Sequence, residues 1–219
     1  MYKVDLHTHS IASKDGSIRP EQYKAALEAR LLDYIAITDH NRIDMAEDLH
    51  KQLGDKIIIG EEISTTDGDI IGLFLTTVVE PHQTPAAAIK AIKAQGGLVY
   101  IPHPFETVRK GMQRSQLNSI ASDVDIIEIH NGRAMVQNRS QKAIVWATLN
   151  HKARAASSDA HGAQGLCKTY TILSEPPTRE NLIDLLHKSQ AIVARPPLKS
   201  LLYPKWNRAR KQLKKYGKQ

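Results

Sequence analysis

Apolar positions along this 219-residue chain follow two alternating rhythms. Short apolar runs occur at Lys3–His7, Tyr34–Thr38, Ile57–Ser64, Ile70–Thr76, Leu98–Pro102, Val124–His130 and Arg154–Ser158. Their length and β-branched content predict strands buried in a sheet. Between most of them the apolar residues recur with helical spacing. Glu21–Leu31 follows Pro20, a favoured first helical residue, and Ile43–Leu53 stops at Gly54. Pro85–Gln95 stops at Gly96-Gly97, and Val136–His151 is longer and amphipathic. The third and fourth runs are joined by a tight Thr66-Asp67-Gly68-Asp69 turn, a hairpin signal. A late run, Thr169–Leu173, and a helix over Arg179–Lys188 follow the seventh strand.

Strands alternating with helices imply βαβ units and a mostly parallel sheet. About seven units point to an α/β fold closed as a seven-stranded, TIM-like barrel. An open doubly wound sheet would carry a glycine-rich loop after its first strand. That place holds His7-Thr8-His9-Ser10 instead. In barrels the functional residues gather at the C-terminal ends of the strands. His7 and His9 end the first run and, two apart, share a face of a strand. His40 ends the second, and Glu61 and Glu62 lie near the end of the third. His103 ends the fifth, His130 the sixth, and Asp159 and His161 the seventh.

Charge changes this picture little. The net charge is +7, but eight of the 30 lysines and arginines lie in residues 199–219, which hold no acid. The body is therefore close to neutral, and only the tail argues for a polyanion. Within the tail, Trp206, Ala209, Leu213 and Tyr216 recur at helical spacing among the basic residues. This predicts a basic amphipathic C-terminal helix, docking its apolar stripe on the barrel or offering its charges to nucleic acid. No apolar run is long enough to suggest a membrane span, and no signal-peptide pattern opens the chain. With Cys167 as its one cysteine the chain forms no internal disulfide, which fits a cytoplasmic location and a buried, unreactive thiol.

His7, His9, His40, His103 and His161 offer nitrogen, and Asp15, Glu62 and Asp159 offer oxygen. Eight ligands exceed the needs of one tetrahedral ion. They suit two or three divalent metal ions with open positions, and mixed imidazole and carboxylate ligation admits Zn²⁺, Mn²⁺ or Fe²⁺. Clustered metals activate water and stabilise an oxyanion, and phosphate ester hydrolysis gains most from them. Arg133 and His130 are the substrate-binding candidates, with Phe105 and Arg109 as further pocket residues. His50, His151 and His187 fall in helical stretches and read as surface residues.

Asp5-Leu6-His7-Thr8-His9-Ser10, Thr38-Asp39-His40, His103-Pro104 and Ser158-Asp159-Ala160-His161 together resemble the four motifs of the polymerase and histidinol phosphatase (PHP) family. The resemblance covers most of residues 1–198 and leaves 199–219 as a separate tail. It implies a distorted seven-stranded barrel carrying up to three metals. His7, His9, Glu62 and Asp159 would hold the first. Glu62 would bridge to a second, shared with His103, and Asp15, His40 and His161 would hold a third. The strand period alone leaves Glu61 and Glu62 open; Gly60-Glu61-Glu62-Ile63-Ser64 resembles the family's Gly-x-Glu-Ile-Ser and favours Glu62. Two departures stand out. Lys14 interrupts the family's Ser-Asp-Gly segment, and the fourth strand lacks the histidine many members use at the second metal. His82 and Asp69 are the nearest replacements.

The function the resemblance implies is a metal-dependent phosphoesterase in which metal-bound hydroxide attacks phosphorus and Asp159 or His161 carries the proton. The expected substrate is a small phosphorylated metabolite, a nucleotide or the end of an oligonucleotide. An amidohydrolase-type reaction and a non-catalytic, polymerase-associated module are the competing readings.

Overall fold

The computed structural model describes residues 1–134 and 138–216, with side chains through residue 213. A nine-stranded sheet runs in the order β7-β6-β5-β4-β3-β2-β1-β8-β9. Its strands are β1 (Tyr2–Asp5), β2 (Tyr34–Ile37), β3 (Ile57–Thr65), β4 (Gly68–Leu73), β5 (Leu98–Ile101), β6 (Ile126–Asn131), β7 (Ala153–Ser157), β8 (Thr169–Leu173) and β9 (Gln190–Val193). The helices are α1 (Pro20–Glu28), α2 (Asp44–Leu53), α3 (Pro85–Ala94), α4 (Arg114–Ser119), α5 (Ser140–Leu149), α6 (Leu182–His187) and α7 (Tyr203–Tyr216).

All seven expected strands form, in sequence order around the sheet. The strand count is nine because β8 and β9 add two antiparallel strands beyond β1. β9 escapes sequence reading because it is four residues long and half exposed, with no buried face to impose a pattern. The β3–β4 hairpin is antiparallel and registers Ser64 opposite Asp69 and Glu62 opposite Ile71. The helix expected over Val136–His151 begins at Ser140; residues 135–137 lie outside those described.

Alternation along the strands sorts the core. Ile35, Ile37 and Ile57 pack with Tyr23 and Leu27 of α1 and Ala46 and Leu49 of α2. Val99, Ile101 and Ile127 pack with Ile89 and Ile92 of α3 and Trp146 of α5. The intervening Ala36, Ile58, Ile71, Tyr100 and Ile126 cluster together, as a period of two requires.

The barrel closes just beyond the strand ends. Asp159 N donates to His7 O and His9 N to Ala160 O, both at 2.9 Å. Thr38 N donates to Thr8 O at 2.9 Å, and Glu62 N to Asp39 O at 3.2 Å. This stitching joins the chain after β7, β1 and β2 to the end of β3. It holds the motif segments at a single mouth.

The C-terminal helix docks differently from the sequence expectation. Trp206 and Leu213 are 67% and 73% exposed, and Ala209 is exposed too, so the described part of the apolar stripe faces outward. Pro204 and Asn207 are buried instead. α7 lies over loops whose carbonyl oxygens need donors, so its polar side is the one they hold. His151 and His187 are exposed as expected, whereas His50 is half-buried and bonds the Ile57 carbonyl at 2.7 Å. Among the described residues, no helix is long and apolar enough to cross a membrane.

Candidate metal centre

All eight ligand candidates meet at the mouth, and seven of them are buried, His40 being partly exposed. The Nε2 atoms of His7 and His9 face each other at 3.1 Å. Glu62 Oε2 lies 3.5 Å from His7 Nε2 and 3.1 Å from His9 Nε2. Asp159 Oδ1 lies 3.5 and 3.4 Å from the same two atoms. An ion bound tetrahedrally at ~2.0–2.2 Å requires its ligand atoms to sit about 3.3–3.6 Å apart. These five separations are close to the edges of such a tetrahedron, so the donor set fits a divalent ion.

Glu62 turns its other oxygen elsewhere: Oε1 is 3.0 Å from His103 Nε2. The carboxylate therefore reaches two positions, as a bridging ligand must. His9, Asp15, His40 and His161 form a further group. Asp15 Oδ1 lies 3.5 Å from His161 Nε2, and Oδ2 lies 3.5 Å from His40 Nε2. Nδ1 of His9, His40 and His103 is buried without a hydrogen-bond partner, a costly state for a side chain with no ligand to take up. Asp69 is buried at the rim of the same cavity with Oδ1 unpartnered, on the face of the β3–β4 hairpin that carries Glu62. It stands on the strand where a histidine is missing. His82 belongs to none of the ligand groups found among the described residues.

The backbone pays attention to these positions too: His103 (φ 33°) and Asp159 (φ 50°) adopt left-handed conformations that non-glycine residues rarely take. Each costs on the order of 1–3 kcal/mol, held by the surrounding fold. Gly16 closes the loop of Asp15, since a Cβ there would sit 2.0 Å from Ser10 O.

Electrostatics separates the groups. Burial pushes the Asp159 carboxyl up, but the Arg133 and His7 charges and hydrogen bonds from His161 and His9 outweigh it and hold it well below the usual range. Glu62 follows the same logic, with His40, His7 and His103 outweighing burial. Asp15 is held low against burial by His161 and His40. Burial disfavours charge on His9, yet hydrogen bonds to Asp159 and Glu62 raise it to about 9. His7 is raised too, its burial outweighed by Asp159, Glu128 and Glu62. A proton there stands where an ion would neutralise the same carboxylates.

The sign of the resulting pH dependence follows. A histidine raised above its ordinary value of 6.5 adds stability that is complete below that value and is lost as pH rises through the folded one, about 9 for His9. Asp5 and Glu61, raised to about 7 by burial, have mostly ionised by then, and Cys167, raised to about 12 by burial, has not. Between pH ~7 and ~9 the chelator-treated protein should therefore lose stability on the order of 3 kcal/mol. Metal-loaded protein should not. A thermal midpoint of chelated protein that stays flat or rises across that window would refute the protonated-cluster account.

Arginines surround the ligands. Arg133 Nη1 lies 3.3 Å from Asp159 Oδ2 and 3.3 Å from His161 Nδ1. Arg109 pairs with Glu106 at 2.6 Å, with Asn131 at 2.9 Å and with Asp159. Both arginines, with Lys14, Lys110 and Arg208, line a cavity of about 310 Å³ over the ligands. His130 does not join them. Its Nδ1 meets Ser140 Oγ of α5 at 3.1 Å, because a register shift between Glu128 and His130 re-aims the strand end. Phe105 is buried in the core beside α3 and α5 rather than in the cavity. A separate apolar cleft of about 430 Å³, bounded by Tyr34, Ile58, Phe74 and Pro176, holds none of the ligand residues.

Sequence reading missed Glu128 of β6, which bonds His7 Nδ1 at 3.0 Å. It also missed Asn207 and Arg208 of α7, which reach the Asp15 loop.

The profile of the PHP domain matches residues 5–217, continuous through the tail. An uncharacterised protein of Methanocaldococcus jannaschii is 32% identical over 180 residues, covering 79% of this chain and 71% of that one. A 5'-3' exoribonuclease of Haemophilus influenzae is 34% identical over 96 residues, 42% of this chain and 35% of that protein. The fold is shared with a two-domain protein of Bacteroides vulgatus containing a predicted PHP-like metal-dependent phosphoesterase. Its TM-score is 0.69 at 20% identity, covering 88% of this chain and 65% of that one. With the motifs at one barrel mouth and the profile matched along nearly its whole length, the chain belongs to the PHP domain family.

Proposed function

We propose that the protein is a metal-dependent phosphoesterase acting on a phosphate monoester or diester of a small metabolite, a nucleotide or an oligonucleotide end. The observation that carries this reading is the joining of two features in one cavity: imidazole and carboxylate atoms at metal-ligand separations, and arginines at their rim. His7, His9, Glu62 and Asp159 would hold one ion, Glu62 and His103 a second with Asp69 beside it, and Asp15, His40 and His161 a third. Bound divalent ions would supply an activated water and neutralise charge developing on the phosphoryl oxygens.

The chain's own residues do the rest. Arg133 presents a planar donor fork suited to two phosphoryl oxygens. Arg109 is fixed by Glu106 and Asn131, so its charge arrives preorganised. Asp159 is held ionised by Arg133 and the histidines around it, which makes it a ligand rather than a proton donor. His161 is lowered by burial and by the His9 and Arg133 charges, so it is neutral near pH 7 and can accept a proton. An amide substrate would offer no anion to Arg133, whose Nε is buried without a partner, which is why the phosphate reading is preferred to the amidohydrolase one. The likeness to the exoribonuclease supports the nucleotide end of the substrate range.

Elemental analysis of the purified protein should find two to three equivalents of divalent metal. A panel of mononucleotides, 5'-phosphorylated short oligonucleotides, sugar phosphates, amides and lactones should show Mn²⁺- or Zn²⁺-dependent release of phosphate or nucleotide. Hydrolysis confined to amides or lactones would overturn the proposal, as would turnover insensitive to chelation.

A further inference from the structure

Helix α7 reaches the Asp15 position from outside the barrel. Arg208 Nη2 and Nε lie 2.6 and 3.2 Å from Asp15 Oδ2. That oxygen is also the one 3.5 Å from His40 Nε2, on the side an ion would occupy. A guanidinium and a divalent ion repel each other and compete for the same oxygen. Two other polar side chains of α7 are anchored to the ligand-bearing loops. Asn207 is buried, and its Nδ2 donates to Asp15 O at 2.8 Å and to His161 O at 3.2 Å, tying together two ligand-bearing loops. Lys211 Nζ donates to Ile11 O at 2.7 Å, Gly16 O at 2.9 Å and Ser13 O. The Tyr203 ring covers Gly162, where a Cβ would meet it at 2.5 Å. The Arg208 side chain is 53% exposed, and it borders the cavity beside Arg133.

We propose that Arg208 couples metal loading to phosphate capture. It serves as the counter-charge of Asp15 when no ion is bound, is released when a divalent ion takes Asp15, and then turns into the cavity to bind the substrate phosphate. Asn207 is the positioning residue that keeps Asp15 and His161 in register while Arg208 exchanges. This rests on the metal-dependent phosphoesterase reading. It adds that the basic C-terminal helix belongs to the site, through its inner polar face.

The two roles predict opposite signs, which a merely structural residue would not produce. Calorimetric titration with Mn²⁺, and then with inorganic phosphate on the Mn²⁺-loaded protein, reads both. Arg208→Gln should bind Mn²⁺ at one position roughly tenfold more tightly, equivalent to about 1.4 kcal/mol. The same variant should bind phosphate roughly tenfold more weakly. Arg208→Lys, which keeps the charge but loses the fork, should fall between wild type and Arg208→Gln in both titrations. Asn207→Ala should weaken Mn²⁺ at the same position by about 10–100-fold. Thermal melts check that each variant is folded. Arg208→Gln with weaker or unchanged Mn²⁺ binding, or with unchanged phosphate binding, overturns the coupling while leaving the phosphoesterase reading intact. Wild-type protein that binds neither Mn²⁺ nor phosphate overturns both.

Discussion

Replacing His7 and His9 together by alanine is expected to lower phosphoester turnover by at least about 10³-fold and to remove one equivalent of bound metal. Both rings are fully buried, and both Nε2 atoms face Glu62 Oε2 and Asp159 Oδ1. Without them two carboxylates remain, and two oxygen ligands alone hold a borderline-soft ion poorly. His9 also belongs to the group of Asp15, His40 and His161, so the damage extends beyond one position. Stability gives a readout independent of turnover. An ion present at 100 times its dissociation constant adds about 2.7 kcal/mol to wild type, and chelation removes it. The double variant should lose most of that difference between loaded and chelated melts. Retained turnover in the folded double variant would sink the metal assignment.

How far the sequence carried depends on what each residue answers to. The ligand candidates end strand-like runs, and a barrel puts strand ends at one mouth, so local pattern was enough to gather His7, His40, Glu62, His103 and Asp159. Choosing Glu62 over Glu61 needed the family resemblance, and the structure separates the two. Glu61 accepts from Val79 N at 2.8 Å, whereas Glu62 meets four histidines. Residues acting from across the fold were not legible. Glu128 sits mid-strand and reads as an ordinary polar position until barrel closure brings β6 within reach of His7. Arg208 was counted as one charge in a basic tail, since its partner Asp15 lies 193 positions away. His130 failed for the reverse reason: strand alternation aimed it at the mouth, and one irregularity in β6 turned it to α5. The tail's apolar stripe was read correctly as a stripe. Its direction depended on what lay beneath, a loop whose carbonyls accept from Asn207 and Lys211 and which only the folded chain reveals.

Glu128→Ala is expected to cost about 3–5 kcal/mol of folding stability and to disable the centre without replacing a ligand. Glu128 is buried and accepts from four groups: His7 Nδ1 at 3.0 Å, Tyr100 OH at 2.9 Å, His103 N at 2.6 Å and Asn131 Nδ2 at 2.8 Å. Alanine would strand His7 Nδ1 and His103 N inside the barrel, while Tyr100 OH keeps Ser157 Oγ at 2.9 Å and Asn131 Nδ2 keeps Asp159 Oδ2 at 3.2 Å. Burial pushes the Glu128 carboxyl up, but the His7 and His103 charges and the His7 hydrogen bond outweigh it and keep it ionised. An ionised acceptor at Nδ1 keeps the proton there and leaves the His7 Nε2 lone pair for an ion, raising the basicity of the ring. Glu128→Gln separates this orienting role from the packing role. The amide keeps the shape but loses the charge and can accept on one atom only. It should unfold in urea within about 2 kcal/mol of wild type while binding Mn²⁺ about 10–100-fold more weakly. Its pH dependence of Mn²⁺ binding should also move to lower pH, because His7 loses a charge and a hydrogen bond that raise it, and the proton competing with the ion leaves sooner. Glu128→Gln binding Mn²⁺ as tightly as wild type would show that His7 is aimed by packing alone.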